Sequence, residues 1–296
     1  MHPITILNAL SAAGLSEVQV DLQKLLRESI RLTTCPADGT QLPPGSSRLG
    51  GLPDLPGGIT WPALNGVPMS FIAQIRLEDL KNLAPAQVLP KKGLLAFFYD
   101  SAQETYGADP ADRSGWKVFF FPPASAAGSG WQFLGSRQAE LTPAQVPAAL
   151  PAGARFKPCL LTFAQELSLP AAPAQVIPDL RWSADQIQRY EGFYANFPSA
   201  EDRQLPHHRM FGWPNQLQDD MQLQCALYAN NIPSVDDPRA AEAARQKAKW
   251  QLLLQIDSDD KAGMRWASYG IIYYWLERDA IQRSAFDKSW LVLQSE

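Results

Sequence analysis

Two stretches of this chain repeat one another, "RLGGLPD" at 48–54 and "RMFGWPN" at 209–215. Arg, Gly and Pro recur at one spacing, and Asp54 is answered by Asn215. Each stretch precedes an apolar run broken by a single amide, Gln74 in "FIAQI" and Gln255 in "LLLQI". A Gly-led aromatic run follows in both, "GLLAFFYD" from Gly93 and "GIIYYWLE" from Gly270. A Trp-led run closes each set, "WKVFFF" from Trp116 and "WLVLQ" from Trp290. Four anchors in the same order predict an internal duplication, and duplicated units pack about a pseudo-twofold as homodimers do. The expected fold is α+β: mixed or antiparallel strands with short helices, in two pseudo-twofold-related halves packed as one bilobal domain.

Strand alternation sets Phe71, Ala73 and Ile75 on one face, with Gln74 and Ile72 on the other. It likewise sets Leu252, Leu254 and Ile256 against Gln255 and Leu253. A buried amide without partners costs roughly 1–3 kcal/mol, and the Gly-Pro loops are rich in backbone groups that no ladder pairs. One reading makes each glutamine the fastener of its own loop. The other gathers Arg48, Asp54, Gln74, Arg209, Asn215 and Gln255 around a ligand at a groove between the halves.

The remaining segments divide the chain into an N-terminal helical segment (1–35), a first repeat (36–121), an Ala/Pro-rich connector (122–182) and a second repeat with inserted helices (183–296). An amphipathic helix is predicted over 16–31, with Ser16 and Gln19 at capping-box spacing and Leu22, Leu25, Leu26 and Ile30 on one face. The Gly- and Pro-dominated stretch from 36 to 68 reads as ordered irregular loop, packed down by Trp61. A short helix is expected at "LEDLKNL", and one helical turn at Thr142–Gln145. Residues 122–131 and 166–178 are expected to be irregular. Ser183 and Gln186 predict a capped helix over 183–197, with Ile187, Tyr190, Tyr194 and Phe197 on its inner face. Another helix is expected from Pro238, capped by Asp237, to Lys249.

Few chemistries announce themselves. A net charge of −4 gives no pull towards nucleic acid or an anionic membrane. Three widely spaced cysteines, Cys35, Cys159 and Cys225, read as free thiols of a reducing compartment, without zinc-type CxxC spacing. No Lys or Arg precedes the first apolar stretch, which argues against a signal peptide, so a cytoplasmic setting is expected. His207 and His208 are adjacent and point to opposite sides of an extended segment, which disfavours a shared metal. His2 lies at the terminus. "DSDDKAG" from Asp257 opens like a calcium loop but lacks its bend glycine and terminal glutamate, so a solvated turn is expected. No GxSxG, P-loop, GxGxxG or HExxH pattern occurs. Neither a cofactor nor a metal is indicated.

Taken together, "RLGGLPDLP", "FIAQIRLEDL", "HHRMFGWPNQLQDD", "WQLLLQIDSDD" and "GIIYYWLERD" resemble the YwqG-like family of bacterial proteins, over Arg48 to Gln294. The resemblance implies a cytoplasmic bacterial α+β protein of unknown function with duplicated structure, and transfers no catalytic residue. Where that family tends to have Trp-Gly-Asp, this chain has Trp266-Ala267-Ser268. If that Asp serves a family activity, the departure puts that activity in doubt for this chain; if it only makes a turn, Ser268 replaces it as a local hydrogen-bonding side chain.

The recurring residues are of structural type, so the expected function is non-enzymatic: a binding or adaptor protein engaging a protein, peptide or small molecule at the inter-repeat groove. The alternative is a hydrolase- or transferase-type enzyme with polar residues of both repeats converging on one cleft.

Overall fold

The six apolar runs that follow the repeated Gly-Pro stretches all become strands. The computed structural model describes residues 3–123, 142–177 and 180–296. In chain order the strands are β1 (Arg27–Pro36), β2 (Arg48–Leu49), β3 (Asp54–Leu55), β4 (Ala63–Leu64), β5 (Val67–Pro68), β6 (Ser70–Arg76), β7 (Leu94–Tyr99), β8 (Trp116–Phe121), β9 (Thr142–Pro143), β10 (Cys159–Ser168), β11 (His208–Met210), β12 (Trp250–Asp257), β13 (Gly270–Glu277) and β14 (Trp290–Ser295). Ten of them form one antiparallel sheet, in the order β14-β13-β12-β11-β1-β10-β2-β6-β7-β8. β3 pairs with β9, and β4 with β5.

The centre of that sheet was not foreseen. The helix expected over 16–31 gives way to a short turn (Ser16–Val18) and a helix α2 (Gln19–Leu25), preceded by α1 (Pro3–Ala12). Ser16 caps nothing, since neither element has a side-chain cap. From Arg27 the chain is a strand in which Ile30, Leu32 and Thr34 are buried; period-two burial and three β-branched residues outweigh the helical spacing upstream. Its partner β10 lies inside the Ala/Pro-rich connector and pairs with it from Arg27↔Ser168 to Pro36↔Cys159. The expectation of irregular backbone over 166–178 therefore fails at 166–168, and most of 122–131 lies outside the described residues. The helical turn expected at Thr142 is the short strand β9, followed by Ala144 N donating to Pro53 O at 2.9 Å.

The second half carries α3 (Ala184–Tyr194), α4 (Met221–Tyr228), α5 (Ala240–Gln246) and α6 (Arg278–Gln282). The Ser183–Gln186 capping box forms. Tyr190 and Phe197 are buried, but Ile187 is 38% exposed and leaves the predicted inner face. Helix α5 begins after Arg239 rather than at an Asp237 cap. α4, unforeseen, is capped by the Asp220 carboxylate, which accepts from Gln222 N and Leu223 N.

One core joins the two ends of the sheet, with Phe97 and Trp116 from one side and Tyr274 and Trp290 from the other. The Phe97 and Tyr274 rings lie 5.1 Å apart, and the Trp116 and Trp290 rings 4.9 Å apart. Trp116 Nε1 donates to Ser289 O at 3.0 Å, and Trp290 Nε1 donates to Gly107 O at 3.0 Å. The sheet is thereby curled until its edge strands β8 and β14 almost close. Helices α1–α3 pack a smaller core of Leu10, Leu22, Trp182 and Tyr190. The Gly-Pro loop covers the other face of β6–β8, with Trp61 Nε1 donating to Met69 O at 2.9 Å and its ring against Phe98.

Candidate functional site

Both glutamines sit two residues beyond a register shift, between Phe71 and Ala73 in β6 and between Leu252 and Leu254 in β12. A bulge adds one residue and reverses the alternation upstream. Phe71 therefore faces Phe98, and Leu252 faces Trp275, on the glutamine's own side of the sheet. This corrects the face assigned to both residues by simple alternation.

Gln74 is fully buried and bonds through both ends of its amide. Its Oε1 accepts from Asp54 N at 2.8 Å. Its Nε2 donates to Ser46 O at 2.9 Å and to Asp54 Oδ2 at 2.7 Å. Arg48, opposite Gln74 in the ladder, holds Leu52 O through Nε and Nη2, and Asp54 Oδ2 at 2.7 Å. Gly45 N also donates to Asp54 Oδ2, while Oδ1 is buried without a partner.

The second set makes the same connections. Gln255 Oε1 accepts from Asn215 N at 2.8 Å, and Nε2 donates to His207 O at 2.6 Å and Asn215 Oδ1 at 2.9 Å. Arg209, opposite Gln255, donates to Trp213 O at 2.8 Å and Asn215 Oδ1 at 2.9 Å. Pro206 stands where the first loop has Gly45 and has no N–H to give, so a neutral Asn215 serves where the first loop has a carboxylate.

Sequence reasoning missed a further matched pair. Arg76 N donates to Ser47 Oγ, which donates to Asp79 at 2.7 Å. Correspondingly Asp257 N donates to His208 Nδ1 at 3.2 Å, leaving Nε2 to donate to Asp259 at 3.1 Å. Ser and His share no sequence signal, yet each passes a hydrogen bond from a backbone N–H to a carboxylate. Thr34 also donates to Asp259. Burial works to raise the Asp259 pKa, but bonds from His208 and Thr34 hold it at about 2. The "DSDDKAG" segment is a solvated turn only in its second part, where Asp260, Lys261 and Gly263 are exposed; Asp257 and Asp259 are each 2% exposed and bonded inward.

The six residues proposed from sequence form two clusters rather than one. β2 and β11 are separated by β10 and β1, three strand spacings or about 14 Å. Ladder partners share a face, so both clusters lie on the same side of the sheet. Between them the β1–β10 pair leaves Thr33, Cys35, Leu160, Thr162 and Ala164 exposed. The second cluster borders this strip with a group absent from the first. Glu166 accepts from Arg209 Nε at 2.7 Å and lies 4.0 Å from Arg31. Arg31 donates to His207 Nδ1 at 2.8 Å and Pro206 O at 2.9 Å. Burial first, then Arg31, Arg209 and Arg203, depress the His207 pKa to about 3, so the ring is neutral.

Among the described residues no group of three His, Cys, Asp or Glu side chains is placed to hold a metal ion. No described helix is long and apolar enough to cross a membrane. The cysteines are free, with Cys35 exposed and Cys159 and Cys225 buried; burial first, with Asp259 adding, pushes the Cys159 thiol up to about 11.

Fold and site define a mixed helix–strand protein whose large, nearly closed antiparallel sheet holds two buried Arg–Gln loop latches. The chain belongs to the family described as Domain of unknown function (DUF1963), whose model matches residues 47–295. No curated protein matches it.

Proposed function

We propose that this protein is a duplicated, non-enzymatic binding protein that engages a protein or peptide partner along the exposed strip between its two latches. One observation carries the reading. The Gln74 and Gln255 amides each give both N–H bonds and accept one bond inside their own loop, whereas the strip between them is open to solvent. A ligand at either glutamine would have to break bonds that hold the fold. A partner on the strip would not.

The matched hydrogen bonds, the bulges two residues before each glutamine and a strand order that reads alike from both edges support a pseudo-twofold duplication. Arg31 and Glu166, which lack counterparts in the first half, give the strip one polar end for orienting a partner. Free thiols suit a reducing, cytoplasmic setting, in keeping with a YwqG-like bacterial protein.

Thr162→Arg puts a long cation on the floor of the strip, across from Thr33 and clear of the latch residues. Wild type and variant, recovered from native cells and compared by native mass spectrometry, are expected to differ: the wild type retains a bound species that Thr162→Arg loses at unchanged melting temperature. Equal retention by both would remove the strip as the binding surface.

A further inference from the structure

The N-terminal arm (α1, α2 and β1) is held chiefly by elements from Cys159 onward, although the chain continues from it into the first Gly-Pro loop. Ile6, Leu10 and Leu22 are buried in one cluster with Trp182 and Tyr190. Trp182 Nε1 donates to Asp21 Oδ2 at 3.1 Å, and Trp213 Nε1 donates to Leu25 O at 2.6 Å. Along one edge β1 pairs with β10, from Arg27↔Ser168 to Pro36↔Cys159. Along the other it pairs with β11, from Ile30↔Met210 to Leu32↔His208. The next strand in sequence, β2, lies on the far side of β10. The arm therefore fills a slot between two strands that come more than a hundred residues later.

That slot does not stay empty in a folded chain. Without β1, the facing edges of β10 and β11 keep backbone N–H and C=O groups with no ladder partner. The slot needs a strand, and the buried apolar positions of the arm make it this one. Which copy of the chain supplies it is a separate matter, settled by the link over residues 37–47. Asp38, Gly39, Gln41, Pro43 and Pro44 are exposed there. Two successive prolines favour extended backbone, and the link fully extended spans roughly 36–40 Å, enough to reach a neighbouring copy. The family match begins only at residue 47, where the link ends.

We propose that two copies of the chain exchange these arms, the β1 of each entering between β10 and β11 of the other. The closed and exchanged forms share every contact outside the link, so exchange is a low-cost route to a dimer. Mass action then sets the balance, and the dimer gains with protein concentration. In the exchanged form the strip is floored by two chains, with Thr162 and Ala164 of one copy across from Thr33 and Arg31 of the other. The exchange concerns which chain builds the strip, and holds whether or not the strip takes the partner proposed above.

Two single-cysteine variants test the exchange. Thr33 and Thr162 are ladder partners and both are exposed, and such partners stand about 4.5–5.5 Å apart at Cα, within disulfide reach. Thr33→Cys and Thr162→Cys are each made with Cys35→Ser, which removes the other exposed thiol. The two proteins are unfolded in urea, mixed, refolded together at rising concentration and treated with oxidised glutathione. A covalent dimer is expected in the mixture and in neither variant alone, because only a crossed arm brings the two cysteines together. Light scattering on refolded wild type, which carries no substitution, is expected to show twice the chain mass as concentration rises. Wild type at single-chain mass throughout, or a mixture without covalent dimer, would overturn the proposal. Equal covalent dimer in each variant alone would also overturn it, since that marks packing of strip on strip.

Discussion

His207 shows how far one residue's chemistry is set by neighbours the sequence does not place beside it. Its ring is 6% exposed and accepts from Arg31, so protonating it would bury a third cation between Arg31 and Arg209. With a folded pKa of about 3 against the ordinary 6.5, the unfolded chain binds the extra proton as pH falls. Stability therefore declines from pH 6.5 towards 3. Wild type should lose midpoint between pH 6.5 and 4 in denaturant titrations, and His207→Gln should lose less; parallel curves would contradict the assignment. Ala267 gives a second prediction. It is exposed at φ +51°, a left-handed conformation costly for any residue with a Cβ, where the resemblance implies glycine. Ala267→Gly is expected to raise stability by about 0.5–1 kcal/mol, read as a higher denaturation midpoint. Arg48, Gln74, Arg209 and Gln255 were legible because the same residue types recur at the same spacing. Ser47 and His208 were not, because different side chains do one job there.

Among the elements, the loops depend on close approach that only glycine permits. Gly212 has φ +68°, and a Cβ there would lie 2.4 Å from Ser168 Oγ and 2.6 Å from Ser29 Cβ. Gly50 presses likewise on Lys157 O. Each loop is thus seated against the end of a central strand, which positions its carbonyls for the arginine. Gly212→Ala should destabilise by about 2 kcal/mol or more, measured by chemical denaturation; an unchanged midpoint would show that the loop yields freely. The six outer strands were readable because they are apolar runs bounded by Gly, Pro and turns. β1 and β10 were hidden for physical reasons. Both of their ladder edges lie at the sheet centre, yet one face is polar and half exposed, so neither shows an apolar run. The bulges were hidden too, because an inserted residue leaves composition untouched.

Across the whole molecule, the curled sheet brings two indoles into reciprocal roles. Trp116 donates to the backbone just before β14, and Trp290 to the loop preceding β8. Trp116→Phe and Trp290→Phe should each cost about 1–2 kcal/mol, and a double-mutant cycle should show coupling above roughly 0.5 kcal/mol because the rings touch. Additive losses would mean the edges close without this contact. The recurring anchors were visible in sequence, but their placement was not: the recurring polar residues meet within each set rather than across a groove. That the latches hold the fold, separately and equivalently, is the claim on which the functional reading rests. Urea unfolding of Gln74→Leu, Gln255→Leu and the double variant tests it most directly. Losses of about 1–3 kcal/mol from each single change are predicted, similar in size and additive in the double variant because β6 and β12 stand five strand spacings apart along the sheet, about 24 Å. An unchanged midpoint in either single variant would contradict the account and return that glutamine to the search for a ligand.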